Sequence, residues 1–371
     1  MAYTTIDDPS AFFQTALWTG DGSSSDRNIT NDGNSDLKPD LILGACRTDT
    51  QSKMFTDSSR GFSVGNKEVS WDSANAEGDT GAVNTGAYGW LGPSLTDGFT
   101  SNYGSVNNGY WNVSSRTYVA WQWKANGGTT ASNTVGDIDS VVQANTTAGF
   151  SIVTYTGNGN ANQTIGHGLG TVPKMILFKN RSSSAYWYNY NIGTGNDSMM
   201  YPNLTNAAQS LSSQFSTPTT TTFNVSNENS TFNGYNTNGD NYVAYVFSEI
   251  QGYSKFGTYI GNGTSGTAGT FIYTGFKPAF VMTKRSTSAD AWVIYDNKRD
   301  PHNPCEIAIA PNSNTNTDDT FANWDFVSNG FKSITGNSQG ASGVTFVYWA
   351  FAESPFVSSK GIPTTARAIT G

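Results

Sequence analysis

Cysteine and histidine each occur only twice in 371 residues, which removes most of the side chains used for metal and nucleophile chemistry. Cys46 and Cys305 sit far apart with no disulfide framework or zinc spacing, and read most simply as small buried residues. His167 lies in the glycine-rich run 166–170, and His302 lies between Pro301 and Pro304 with no ligand at a metal spacing. Charge is scarce as well. Asp, Glu, Lys and Arg make up 13% of the chain, and only Glu68, Glu77, Glu228, Glu249, Glu306 and Glu353 are glutamates. No G-x-S-x-G elbow, H-E-x-x-H, phosphate loop or dinucleotide fingerprint occurs, so no catalytic, cofactor-binding or metal residue is assigned and no enzyme is expected. The formal charge is −8 with a pI near 4.7 and no basic cluster, which would repel phosphate backbones and argues against nucleic acid. No segment approaches the roughly 20 apolar residues of a membrane span, and the first twenty lack the basic start and apolar stretch of a signal peptide. The expectation is a soluble protein made in a cytoplasm.

What the chain does have is 40 glycines and 13% aromatic residues, a balance that favours short strands and tight turns. The expected class is all-β. A turn of the form aromatic-x-Gly-[Asp/Asn]-Gly occurs three times, at residues 18–22, 155–159 and 259–263. Each is followed by a proline, an apolar run and a basic residue, at 39–47, 173–181 and 278–285. Each unit closes on an aromatic and valine run, at 118–123, 242–247 and 346–351. From the second copy to the third, turn, proline and closing run shift by 104, 105 and 104 residues, so three markers keep one register.

The reading is three tandem antiparallel β-sandwich-like units of about 100 residues. Their bounds are 1–125 for the first, with inserted aromatic and Gly-rich loops, then a flexible linker at 126–136, 137–250, 251–355, and a tail at 356–371. In the closing runs Val119, Trp121, Trp123 and their counterparts form one apolar face, and the opposite face is mixed but largely apolar. Such a strand should be central and covered on both sides. Asp32 and Gly33 give a hairpin-type turn signal. Asp57 aligns with Asp296, while the second unit offers Tyr190 or Asn191, so these acids read as turn residues.

Rings set among Asn, Ser, Thr and Gly are the remaining candidates for binding. They are Trp71, Tyr88, Trp90, Tyr110 and Trp111 in the insertion, and Tyr188 in the second unit. Flat rings beside short polar side chains suit sugars and protein partners, and equally well cover a small β core. Trp187 matches Trp292 and Tyr190 matches Tyr295, which makes those four core residues, whereas Tyr188 is freer to point outward.

The strings GFSIVTYTGNGNANQTIGHGLGTVPKMILFKNR (149–181), YSKFGTYIGNG (253–263), TFIYTGFKPAFVMTKR (270–285) and FAESPFVSSKGIPTTAR (351–367) closely resemble repeat units of marine bacteriophage virion proteins. These are often labelled tail-fibre-like and many come from phages of cyanobacteria. The resemblance implies a virion component assembled in a host cytoplasm, with other virion proteins as partners. The leading expectation is a tail-fibre-like attachment protein that binds the host surface, with surface glycan as its candidate ligand; the alternative is a capsid or tail decoration protein of purely architectural role, and the least favoured form is a polysaccharide depolymerase. Virion parts occupy symmetric sites, so a homo-oligomer is expected. No coiled-coil heptads or collagen-like run accompany the match, which favours a compact protein over a long fibre.

Overall fold

The structure, a computed structural model, describes residues 3–62, 67–78, 87–107, 109–196, 198–210, 215–226, 235–314 and 318–364. Among them there is no α-helix, and every strand ladder is antiparallel, as the all-β expectation requires. The first unit comprises β1 (Phe13–Thr19), β2 (Arg27–Ile29), β3 (Leu41–Cys46), β4 (Met54–Asp57), β5 (Val69–Ser70), β6 (Trp90–Ser94), β7 (Phe99–Asn102) and β8 (Thr117–Trp123). They form a sheet ordered β1-β8-β3-β4-β5 and a smaller one ordered β2-β7-β6. The second unit comprises β9 (Ala131–Asn133), β10 (Ser140–Asn145), β11 (Phe150–Thr156), β12 (Gln163–Gly166), β13 (Pro173–Asn180), β14 (Tyr188–Asn191), β15 (Ser198–Met199), β16 (Gln209–Ser210), β17 (Thr222–Val225) and β18 (Asn241–Ser248). Its main sheet runs β14-β13-β18-β11-β10-β9, beside the pairs β12-β17 and β15-β16. The third comprises β19 (Ser254–Ile260), β20 (Phe271–Tyr273), β21 (Phe276–Arg285), β22 (Val293–Asp296), β23 (Cys305–Ile309), β24 (Asp319–Val327), β25 (Gly330–Ser333) and β26 (Thr345–Pro355). These make one eight-stranded sheet, β19-β26-β21-β22-β23-β24-β25-β20.

The closing strands β8, β18 and β26 lie inside their sheets with one register throughout. Trp121 stands opposite Leu43 and Thr15, Tyr245 opposite Leu177 and Ile152, and Trp349 opposite Met282 and Phe256. Being apolar on both faces, each strand needs two covers. One face of all three sheets joins a single central core. There the rings of Trp123, Phe247 and Phe351 close a triangle, with centroids 6.3, 5.6 and 5.7 Å apart. The other face of each sheet has its own outer core, built around Tyr118 and Ala120, Tyr242 and Ala244, or Phe346 and Ala350. In the first unit the small sheet contributes Ile29, Leu91 and Phe99 to that cover. In the third, the sheet curls on itself instead of meeting a second one. The amide of Asn262, just after β19, donates to Thr270 Oγ1 just before β20 (3.0 Å), so the two edges come together and the sheet is nearly closed.

Two local expectations are corrected. The stretch read as a flexible linker carries β9, paired to β10, and its Asn126 and Gly128 amides donate to Gln143 Oε1 (3.2 and 2.7 Å). Asp32 and Gly33 make no hairpin, because the Gly33 amide is taken by Gln14 Oε1 (2.9 Å).

The glycine turns are one structure used three times. Trp18 stacks on Tyr118, Tyr155 on Tyr242 and Tyr259 on Phe346, at 5.2, 5.0 and 4.8 Å with nearly parallel rings. Gly20, Gly157 and Gly261 then pass so close to a facing carbonyl that an added Cβ would lie 2.0, 2.3 and 2.2 Å from the oxygens of Val113, Thr237 and Ala341. Gly22, Gly159 and Gly263 adopt φ near +70°, a conformation that glycine alone takes without strain.

Polar groups lock the seams between units. Asp57 and Asp296 do hold their turns, accepting from the Arg60 and Arg299 amides (2.9 and 2.8 Å). They also do more than turn residues would. In the first–second seam, Tyr245 Oη donates to Asp57 Oδ2 (2.7 Å) and accepts from Arg60 Nη2 (3.1 Å). In the third–first seam, Trp121 Nε1 donates to Asp296 Oδ2 (3.0 Å) and the Arg299 guanidinium lies 5.3 Å from the Trp121 ring centre. The second unit has Asn191 in this place, and Asn191 Nδ2 and Trp349 Nε1 have no partner among the described residues.

Each unit also buries one lysine. Lys179 Nζ bonds Ala185 O (2.7 Å) and, across the seam, Ala74 O (2.9 Å); Lys53 Nζ bonds Gln51 O (3.1 Å) and, across its seam, Ser313 O (2.6 Å). Lys284 Nζ bonds Arg285 O (2.7 Å). Lys179 and Lys284 stand one register step beyond the pairs Phe178–Tyr188 and Thr283–Val293, opposite Trp187 and Trp292. The first unit exchanges these positions, with Ala45 where the lysine would be and Lys53 where the tryptophan would be. Trp71, from beyond β5, supplies an indole to the central core there.

Two outcomes follow from this geometry. Gly261→Ala has no backbone penalty of positive φ, yet drives its methyl into the Ala341 carbonyl, so it should lower stability by about 1–3 kcal/mol; urea unfolding that matches the parent would contradict the close approach. Burial pulls the amines of Lys53, Lys179 and Lys284 down to about 8, 7 and 8. The unfolded chain keeps those protons to about pH 10.4, so between pH 8 and 9 it holds more protons than the folded chain, and stability rises with pH. Urea midpoints should therefore increase over that interval, and a decrease would contradict the assignment.

Candidate interaction surface

The structure moves four of the six candidate rings into cores, which corrects their expected role as ligand contacts. Trp71 packs between Trp187 and Trp349, 6.0 Å from each, and its Nε1 donates to Pro202 O (2.8 Å). Trp111 and Tyr110 belong to the outer core of the first unit, 5.0 Å apart, with Tyr110 Oη bonded to Ser52 O (2.8 Å). Tyr188, expected to face outward, is buried against Tyr201 and Tyr235. The reason is common to all four: the insertion and the loops of the second unit supply the covers that two-faced central strands demand. Tyr88 and Trp90 remain half-buried, with Trp90 Nε1 tied to Phe62 O (2.9 Å).

The buried titratable groups outside the seams are likewise held within the packing. Burial pushes the Glu68 carboxyl up to about 8, against the Trp111 indole that donates to its Oε1 (3.2 Å). Burial pulls His167 down to about 4, leaving a neutral ring whose Nδ1 accepts from the Leu169 amide (3.2 Å). No group of three or more His, Cys, Asp or Glu among the described residues could hold a metal ion. Cys46 and Cys305 are both free and buried.

Two surface features remain. One is an apolar strip on the third unit, where Ile260, Phe271 and Tyr273 are 62%, 48% and 49% exposed. The Lys255 ammonium sits 5.5 Å from the Tyr273 ring centre, and Tyr3 Oη, which donates to Gly275 O (2.9 Å), lies 3.2 Å from Tyr273 Oη. The strip exists because β20 is an edge strand that turns only Ile272 inward.

The other is a cleft of about 400 Å³ between the first and third units. Phe13 and Thr15 of β1 line it from the first unit, and Ala279, Asn297 and Lys298 from the third. A Lys298–Asp32 ion pair (2.8 Å) spans the two units at its lining. Thr15 is 4% exposed, and its hydroxyl has no partner among the described residues. Neither the apolar strip nor the cleft was legible as a site in the sequence. The residues of the cleft share no motif and are drawn from opposite ends of the chain.

No curated protein and no solved structure matches the chain. One family model, described as a domain of unknown function, DUF7483, matches residues 8–355. That span covers nearly all of the sheets described above, and the chain belongs to the DUF7483 family.

Proposed function

We propose that this chain is a structural protein of a bacteriophage particle, built from three copies of one β module with bounds near 1–125, 137–250 and 251–355, the third of them curled into a nearly closed sheet. The observation that carries the reading is the threefold recurrence of a single register around one central core, with buried ions spent on joining the copies. A rigid block of this kind suits a lattice or appendage, and the resemblance of residues 149–367 to repeat units of phage virion proteins points the same way. Partners are other virion proteins, in a symmetric assembly. A capsid or tail decoration role fits best, because Trp71, Tyr110, Trp111 and Tyr188 offer no exposed face to a glycan.

Host attachment is the second reading, and the exposed strip of Ile260, Phe271 and Tyr273 favours it. Phage particles purified by density gradient from a host infected by the phage that encodes this chain should carry it at a fixed copy number, and image reconstruction should place it on the capsid or tail surface. Its presence in the lysate but absence from purified particles would contradict the proposal. Location at the tail tip would select attachment over decoration.

A further inference from the structure

The three seams are equivalent in register but are filled differently, and the difference identifies an edge, that of β1, with which no described strand pairs. Thr15, Ile152 and Phe256 occupy one place, each opposite the middle ring of its closing strand. In the second unit the far edge of β11 is not free. It pairs with β10, and Gln143 stands directly opposite Ile152. The Gln143 side chain is fully buried, donating to Ser58 Oγ (2.9 Å) and Ser59 Oγ (2.7 Å) on the first unit. That seam is plugged by a strand.

The corresponding residues elsewhere follow from one hydrogen bond. The Ser58 amide donates to Asp40 O (2.9 Å), the Ile192 amide to Lys174 O (2.8 Å) and the Asn297 amide to Ala279 O (3.0 Å). Ser58 and Ser59 therefore match Ile192 and Gly193 in the second unit, and Asn297 and Lys298 in the third. At the second–third seam Gly193 closes the space by direct approach: a Cβ there would lie 2.3 Å from Thr258 Cγ2 on β19. At the third–first seam neither device is present among the described residues. Ala279, Asn297, Lys298 and the edge of β1 instead line the 400 Å³ cleft, in the place that Gln143 fills in the second unit.

The edge itself is competent to pair. The Phe12 carbonyl accepts from the Lys124 amide (3.0 Å) and the Gly20 amide donates to Arg116 O (2.8 Å), so the even-numbered residues of β1 face β8. Phe13, Thr15 and Leu17 turn their backbone groups the other way, as Phe150, Ile152 and Thr154 do toward β10. Strand addition to such an edge draws affinity from main-chain hydrogen bonds and specificity from a side-chain pocket.

We propose that the outer edge of β1 accepts an extended segment of a second polypeptide, added antiparallel as β10 is added to β11. That segment places a Gln or Asn opposite Thr15, with its amide in the cleft between Asn297 and Lys298. The occupant's chemistry is that of the internal template Ser140–Asn145: a short, uncharged, β-branched strand with one central carboxamide. This inference does not depend on a virion location.

The test uses the full-length chain and a fluorescent peptide of residues 140–146, followed by anisotropy. Saturable binding is expected, and it should weaken about tenfold or more when the peptide carries alanine in place of the residue 143 glutamine. Two protein variants should weaken it to a similar degree. Thr15→Pro removes an outward-facing amide, and Ala279→Phe fills the cleft without altering β1, which keeps the test decisive should the proline variant fail to fold. Absence of saturable binding, or binding unchanged in both variants, overturns the proposal. So does self-association of the chain through β1, detected by sedimentation and abolished by the same substitutions, because the edge would then be occupied by a second copy.

Discussion

Everything in this fold depends on giving a second cover to three strands that are apolar on both faces. β8, β18 and β26 each present Val, a large ring and another ring inward, and at least one ring with an alanine outward. A sheet with only its own outer core would leave that inner face in water, at a cost of about 25 cal/mol per Å² of apolar surface. Bringing three such faces together removes the cost for all of them at once. The triangle of Trp123, Phe247 and Phe351 is the point where the three solutions coincide.

Once the inner faces are shared, the seams acquire their own chemistry. Charges that would be expensive to bury alone are placed where a neighbouring unit completes their hydrogen bonds, as Asp57 and Arg60 do with Tyr245. Lys53 and Lys179 serve the same end through Ser313 O and Ala74 O, whereas Lys284 bonds only Arg285 O of its own unit. Divergence is tolerated where the register is not disturbed. Asn191 replaces an acid, β10 fills one seam, Gly193 closes another, and the third is left with a cleft.

The part of this that was legible in the sequence is the part that repeats with little change. The spacing of Tyr155 and Tyr259 carried over to identical pairings, and the two-faced run 118–123 did become a central strand. What covers the inner face was not legible, because apolar periodicity states that a face is buried and not by which segment. The inserted rings were ambiguous for a related reason. Trp71 and Trp111 sit among Ser, Asn and Gly whether they line a groove or close a core, and only the three-dimensional shortage of cover decides. The segment before Gly136 lacks periodicity, yet it is held through backbone amides that bond Gln143, a partner no local pattern reveals. The repeated Asp-x-x-Arg at 57–60 and 296–299 was the available signal for the seams, and its meaning lay in the Tyr245 and Trp121 side chains of other units.

The three units share one core and stand or fall together. Hydrogen exchange followed by mass spectrometry across a urea series tests it most directly, by reading β8, β18 and β26 separately in one experiment. The three strands should lose protection at the same urea concentration, in a single cooperative step. Loss of one strand's protection well before the other two, with those two still native, would contradict it.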